Sequence, residues 1–309
     1  MVLAAQVIAG WAAIAQGKLT ADMQVRLGKE AMARAGCASG DILSFDLEAA
    51  DRIVVRRIAA EQDPDYVTPL RDEFGCPIPP GWLNQAFTSI PDAEQSIRNG
   101  YASAQLIAAW AAECGADMGP AATIFDFGCG CGRVLRHWPR FTKAAVQGCD
   151  LRADSVDWLT RHMPFGRYFA GSQTPPIAVA SGSVDVLYAI SVLTHLDRQS
   201  QIDWLAEWRR MVKPGGVVIA TFHGEDMIDK RFGHMPAARQ RMLDRLRDGG
   251  GASFTQDRGW DNIFPDFYQT ACNSTEYVKA EWTRHFKIAK LVPSGGFANL
   301  QNAVVLVPL

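Results

Sequence analysis

A chain of 309 residues is long enough for one large domain or two modest ones around a substantial core. Its 48% hydrophobic and 21% charged residues describe an ordinary soluble globular protein. A net charge of -2 lacks the basic footprint of a binder of nucleic acid or anionic membrane. The expected partner is therefore a small molecule, with no nucleic acid and no membrane.

The N-terminal stretch "MVLAAQVIAGWAAIAQGK" has no Lys or Arg before Lys18, so it lacks the basic start of a secretory signal. Val7, Ile8, Trp11, Ile14 and Ala15 fall at helical spacing, which predicts an amphipathic helix and a cytoplasmic protein. Thr20 is placed to cap a second helix carrying Met23, Leu27 and Ala31, ended by Gly36. A third is expected over "FDLEAADRIVVRRIAAEQ", with Leu47, Ala50, Val54 and Ile58 on one face and Pro64 beyond it. Residues 1–75 thus read as an N-terminal helical extension closed by an ordered strap, "TPLRDEFGCPIPPGW".

From about residue 95 helices and strands alternate. "SIRNGYASAQLIAAWAAECG" reads as a helix, "ATIFDFG" and "AAVQGCD" as strands, and "DSVDWLTRHM" as a helix capped by Asp154 or Ser155. "GRYFAG" and "VDVLYAIS" follow as strands, then the helix "QIDWLAEWRRMV", the turn "KPGG" and a fifth strand "VVIATFH". Short apolar strands separated by helices predict an α/β fold with a parallel sheet covered on both faces. The end differs: a helix over "STEYVKAEWTRHF" precedes "KIAKLVP" and "NAVVLVPL", an antiparallel hairpin.

Seven cysteines are scattered without knuckle or disulfide spacing. They read as free thiols serving as small apolar side chains. No acidic cluster for a catalytic divalent metal is visible, so no metal is expected.

The most informative stretch is "IFDFGCGCGRVLRHW", residues 124–138. A strand ending in Asp126, then Gly128, Gly130, Gly132 and a short helix, is a nucleotide-binding layout. The glycines permit a tight turn and a close ligand, and a helix N-terminus offers unpaired N–H groups. The spacing is G-x-G-x-G, whereas the dinucleotide fingerprint needs G-x-G-x-x-G and would place its third glycine at Arg133. Asp150 ends the next strand about 20 residues on, where ribose hydroxyls are held in such sheets; a solvated strand-end acid is the competing reading.

With those residues in view, "FDFGCGCG", "GCD", "VDVLYAISVLTHL" and "MVKPGGVVIATFHG" together resemble the class I methyltransferases dependent on S-adenosylmethionine (SAM), over roughly residues 78–309. The chain is similar in particular to a bacterial subgroup associated with polysaccharide or secondary-metabolite genes. The resemblance implies a Rossmann-like seven-stranded sheet, mostly parallel with an antiparallel last strand, over residues 76–309, and SAM as cofactor. It further implies that Gly128, Gly130 and Gly132 line the methionine portion, with Asp126 supporting the loop or reaching the amino group. Asp150 would hold the ribose and Leu151 pack beside adenine. Ser172 or Gln173 would stand where many members carry an acid near the adenine amine, and Ser191 would lie near the sulfur.

Methyl transfer to a hydroxyl needs a proton removed, and a histidine titrating near neutrality suits that task. His195 in "SVLTHL" and His223 in "TFHG" both follow strands on the carboxyl-end rim; either is a base or merely fixes a loop. Residues 224–271 exceed an ordinary connection and carry Met235, Phe254, Trp260, Phe264, Phe267 and Tyr268. They read as a cap insertion over the acceptor, with Tyr268 a contact, or as an excursion with its own small core. Tyr101 either covers the cofactor or packs in the core. The N-terminal helices add to the cap or form a homodimer contact. The expected activity is methyl transfer to an oxygen, in preference to a nitrogen, of a small molecule or sugar. The alternative is a SAM-binding partner or regulatory module without turnover.

Overall fold

The computed structural model describes residues 42–49, 52–58, 63–85, 93–254, 269–297 and 301–309. The readings at Val7–Ala15 and Thr20–Gly36, and Trp260, Phe264, Phe267 and Tyr268, lie outside them. The chain divides into two units, with the boundary between Pro69 and Leu70.

In the first unit the expected third helix is absent. Its place is taken by strands β1 (Ile42–Ala49) and β2 (Arg52–Ile58), an antiparallel pair in which Phe45 faces Val55 and Leu47 faces Ile53. Two sequence features favour this outcome. Leu43, Phe45 and Leu47 alternate with Ser44, Asp46 and Glu48, the period of a strand. Ile53, Val54 and Val55 are β-branched, stiff at χ1, and suit a pleated surface better than a helix. A short helix α1 (Pro64–Val67) follows.

The second unit opens with the strap, which is ordered as expected. Arg71 and Pro77 form an antiparallel bridge, and Asp72 Oδ1 accepts the amides of Phe74 and Cys76. The buried Arg136 guanidinium donates to the Pro77 carbonyl and lies 3.5 Å from Asp72. Helices α2 (Gly81–Gln85) and α3 (Ala93–Glu113) lead into the sheet.

Seven strands form that sheet: β3 (Thr123–Phe127), β4 (Ala145–Asp150), β5 (Gly166–Ala170), β6 (Val184–Ala189), β7 (Val212–Phe222), β10 (Phe286–Phe297) and β11 (Gln301–Pro308). The order is β10-β11-β7-β6-β3-β4-β5. The first five are parallel, while β11 runs antiparallel to both β7 and β10. The mostly parallel sheet and the closing hairpin are thus as the sequence predicts. "KPGG" departs in detail: it lies within β7 as an irregularity, the pairing stepping from Val184–Val212 to Val186–Val217.

Every residue of β6 is buried, as a strand covered on both faces requires. On one side α5 (Arg198–Met211) lays Trp204 and Trp208 against Phe127, with ring centroids 4.6 and 5.2 Å away. Asp197 caps this helix through Ser200 N. Helix α4 (Ala153–His162) has neither expected cap: Arg152 occupies the N-cap position without a side-chain bond, and Asp154 instead accepts from the Arg152 guanidinium. Its first turn is anchored from outside, because Asp150 Oδ1 accepts the Arg152 amide at 3.0 Å.

After β7 come α6 (Glu225–Phe232), α7 (Pro236–Gly249) and the antiparallel pair β8 (Gly251–Phe254) and β9 (Thr270–Asn273), then α8 (Thr275–Glu281). Ile228, Met242, Leu243, Leu246, Ala252 and Cys272 form a cluster separate from that of the sheet. Phe254 and Phe232 pack against that cluster, edge-on to each other at 5.0 Å. Among the described residues no helix is long and apolar enough to cross a membrane. The described cysteines are free, four of them buried, and burial pushes the Cys131 and Cys272 thiols up to about 12.

One glycine outside the loop also locks this fold. A Cβ on Gly100 of α3 would overlap the Arg133 carbonyl, so the helix backbone rests directly on the end of the glycine loop. Gly100→Ala is expected to destabilise the protein by about 1–3 kcal/mol through overpacking, read as a lowered midpoint in urea with an unchanged m-value.

Candidate functional site

The strand order reverses at β3, whose chain successor β4 lies on one side and β6 on the other. A crevice at the carboxyl ends of strands on either side of such a point is where ligands bind in open α/β sheets. The glycine loop, the ends of β4, β6 and β7, and the start of β11 all meet this rim.

Gly128, Gly130 and Gly132 take φ values of 79°, 50° and 84°, a region that side chains resist. Space forbids side chains as well. A Cβ on Gly128 would stand 2.5 Å from Val192 Cγ2, and one on Gly132 would stand 2.7 Å from Leu159 Cδ2. The loop leads through turns into a 3-10 helix, Leu135–Arg140, and the amides of Gly128, Cys129, Gly130 and Gly132 are already engaged. Gly128 N and Cys129 N both donate to the Cys149 carbonyl, at 2.9 and 3.0 Å, and Gly132 N to Cys129 O. The expectation of free helix N-terminal N–H groups is therefore corrected: no α-helix starts here, and these amides serve the loop itself.

Asp150 completes the fastening. Its Oδ2 accepts Gly130 N at 2.8 Å and its Oδ1 the Arg152 amide, while its carbonyl takes Gly171 N at 2.7 Å. It is thus no solvated strand-end acid. Burial raises its pKa, and the two backbone donors pull it down. Each carboxylate oxygen retains a lone pair for a hydroxyl. Beside it Leu151 is 47% exposed, an apolar surface at the strand end. Ser172 and Gln173 are exposed on the loop after β5, with Ser172 Oγ accepting Thr174 N.

Asp126 lies deeper. It is 4% exposed, and its Oδ2 accepts the Tyr188 hydroxyl at 2.8 Å. That hydroxyl accepts the Trp138 indole N–H at 2.9 Å. Burial raises the Asp126 carboxyl to about 7, against the Tyr188 bond and the Arg133 charge. Arg133 is in turn lowered by burial and raised by Asp126. Of the two roles expected for Asp126, loop support falls to Asp150. Tyr188 and Arg133 were missed by sequence reasoning. Tyr188 is the cross-strand partner of Asp126, a relation visible only once the strands are paired.

On the other side of the crevice Ser191 adopts φ 59°, uncommon outside glycine. Its amide donates to Thr221 Oγ1 at 2.8 Å, and Gln301 donates to its hydroxyl. The neighbouring Val192 packs on Gly128, so Ser191 sits where the glycine loop and the end of β6 meet.

His195 closes a 3-10 turn, Leu193–His195. Its Nδ1 lies 3.0 Å from the Gln269 carbonyl, which can only accept. The proton therefore sits on Nδ1 and the lone pair on Nε2. The turn is held by the buried Gln201, whose Nε2 donates to the Leu193 and Leu196 carbonyls and whose Oε1 accepts from Asn273 and Tyr277. His223 is buried, bridges Cys272, and accepts Asn273 N at 2.8 Å through its carbonyl. The two histidines are close enough to interact electrostatically. His195 is fastened by Gln269, just before β9, and His223 by Cys272 and Asn273 of β9. Tyr101 does not lie in the core: it is 36% exposed, stacks on Phe141 with centroids 5.6 Å apart and meets His137 edge-on.

One sequence expectation about charge is overturned. His195 does not titrate near neutrality: burial lowers it to about 3, helped by His223 and opposed by the Gln269 bond.

With this geometry in hand, comparison is informative. Residues 125–220 match a family model described as a methyltransferase domain. Among solved structures, a protein of Pyrococcus horikoshii OT3 is 14% identical, covering 72% of this chain and 95% of its own, with a TM-score of 0.50. A magnesium protoporphyrin IX methyltransferase from Synechocystis PCC 6803 is 12% identical over 73% and 92%, with a TM-score of 0.49. A SAM-dependent methyltransferase from Clostridium acetobutylicum is 12% identical over 67% and 90%, with a TM-score of 0.48. No curated protein matches the chain in sequence. The matched segment runs from β3 into β7 and contains the glycine loop, Asp150, Tyr188, Ser191 and His195.

The His195 environment has a measurable consequence. Its pKa is depressed relative to the unfolded chain, near 6.5, so folding excludes a proton there. This residue's share of stability falls as pH drops from about 6.5 towards about 3. Imidazole NMR resonances of His195 are expected to stay in the neutral Nδ1–H form at pH 5, where an ordinary histidine is protonated.

Proposed function

We propose that the protein moves the methyl group of SAM to an oxygen, in preference to a nitrogen, of a small molecule or sugar. The cofactor supplies an activated methyl on a sulfonium with a good leaving group. What remains for the chain is to bind, align and keep water out. Alignment of two reactants contributes up to about 7–11 kcal/mol of barrier lowering.

In this reading the methionine portion lies along Gly128, Gly130 and Gly132, with Asp126 receiving the ammonium. Asp150 takes the ribose hydroxyls, Leu151 backs the adenine, and Ser172 or Gln173 meets its amine. Ser191 borders the sulfur. The fit rests on the loop's engaged amides: a dinucleotide pyrophosphate wants free N–H donors, whereas a sulfonium wants room and an adjacent acid. G-x-G-x-G spacing and the Asp150 clamp support the same choice over a nicotinamide cofactor.

The observation that carries the transfer chemistry is the His195 tautomer. Nδ1–H given to Gln269 leaves Nε2 as an acceptor on the rim that also holds Ser191 and His223. A base held near pKa 3 is weak, and proton transfer follows the match between donor and acceptor. Within the acceptor class proposed above such a base favours the more acidic hydroxyl. His223 is the second candidate base, and the insertion is proposed to border the acceptor through β9. We place the methyltransferase domain at 76–309 and the insertion at 224–271, and propose a cytoplasmic protein of the bacterial methyltransferase subgroup associated with polysaccharide or secondary-metabolite genes.

Calorimetry with SAM and with S-adenosylhomocysteine is expected to register binding, and no heat from either at millimolar ligand overturns the reading. Asp150→Ala is expected to weaken both by at least tenfold. With tritiated-methyl SAM and a panel of phenols, carboxylic acids and sugars, His195→Ala should lower turnover by about 10²- to 10⁴-fold at unchanged SAM affinity. Binding without transfer to any member of a broad metabolite extract would favour the regulatory module instead.

A further inference from the structure

Tyr188 stands out among the buried groups that this chemistry leaves unassigned. Its side chain is fully buried, yet its hydroxyl is given a fixed direction. Trp138 Nε1 can only donate, so the Tyr188 oxygen accepts from it at 2.9 Å. The Tyr188 proton must then go to Asp126 Oδ2, 2.8 Å away. Both donors come from the framework, Tyr188 from the middle of the sheet and Trp138 from the 3-10 helix behind the glycine loop. No described residue donates a hydrogen bond to the other oxygen, Oδ1.

We propose that Tyr188, oriented by Trp138, is a positioning residue for cofactor binding: it holds Asp126 through Oδ2 as an acceptor and leaves Oδ1 to the ammonium of the amino-acid tail. This rests on the cofactor placement above and extends it to a proton-linked binding step.

The groups facing Asp126 define the sign of that linkage. Arg133 of the glycine loop favours its ionised form and Asp150 at the end of β4 opposes it; the thiols of Cys129 and Cys149 and the Tyr168 phenol are also near and uncharged. Burial outweighs these, and the ligand-free carboxyl is raised to about 7. An ammonium needs the carboxylate, so below pH 7 each binding event releases the Asp126 proton to solvent. Tyr188→Phe removes a bond that stabilises the carboxylate, so the affinity midpoint moves to higher pH.

The probes are S-adenosylhomocysteine, which carries the ammonium, and 5′-methylthioadenosine, which lacks it. For the intact protein we expect the first to bind roughly tenfold more weakly at pH 6 than at pH 8, as the competent fraction falls. The second should change by less than twofold. In Tyr188→Phe the homocysteine ligand should weaken at pH 7 by at least fivefold, its midpoint displaced upward, with methylthioadenosine affinity retained. Asp126→Asn should make the two pH profiles alike. Parallel profiles in the intact protein, or an unshifted profile in Tyr188→Phe, overturn the proposal. Should Tyr188→Phe not fold, Trp138→Phe decides: it frees the Tyr188 hydroxyl and should move the midpoint the same way, and an unmoved midpoint overturns the proposal. Failure of both ligands to bind the intact protein is a different result, because it removes the cofactor reading itself.

Discussion

The end of β4 is the constraint on which the site depends. One carbonyl, that of Cys149, takes the amides of Gly128 and Cys129, and the next side chain, Asp150, takes that of Gly130. A loop of alternate glycines has large conformational entropy to lose; here several adjacent hydrogen bonds hold it in one shape. Because the bonds come from the neighbouring strand, the loop's geometry is set by sheet pairing rather than by anything the loop does alone. What faces the crevice is main chain without side chains, and the amide donors point back into the protein. Such a surface accommodates a bulky uncharged or cationic group and offers little to a phosphate.

The crevice then separates into two chemically distinct halves. Acids cluster towards the glycine loop: Asp126 with Arg133 opposed to it, and Asp150 at the rim. Imidazole, hydroxyl and amide groups occupy the other half, where His195, His223, Ser191 and Gln301 hang on the ends of β6, β7 and β11. A buried imidazole beside a second imidazole avoids charge, and a cationic sulfonium nearby would press it further the same way. Proton removal at such a centre depends on the acidity of the incoming group as much as on the base.

Much of this was legible in the chain. The strand-loop-strand run through Asp126, the three glycines and Asp150 is local, and local spacing survives into the fold. So does the closing hairpin, since "KIAKLVP" and "NAVVLVPL" carry their own period. The failures have physical causes. At residues 42–58 a weak helical face was preferred to the alternation of Leu43, Phe45 and Leu47, and the β-branched Ile53–Val55 run decided against it. Asp154 is not the cap because the helix starts one residue before it, at Ala153, with Arg152 as N-cap, and its carboxylate takes the Arg152 guanidinium. Tyr188 and Arg133 become visible only when β6 is laid beside β3. The low His195 pKa is not legible because burial is a property of packing and leaves no mark in a six-residue motif.

The inserted segment between β7 and α8 has an apolar cluster of its own, yet touches the rim through β9 and the residue just before it: Cys272 bridges His223 and Gln269 exchanges bonds with His195. The hold on the rim is main chain, Gln269 N to the His195 carbonyl and Asn273 N to that of His223. Side chains of the inserted cluster can therefore change without altering how either histidine is anchored.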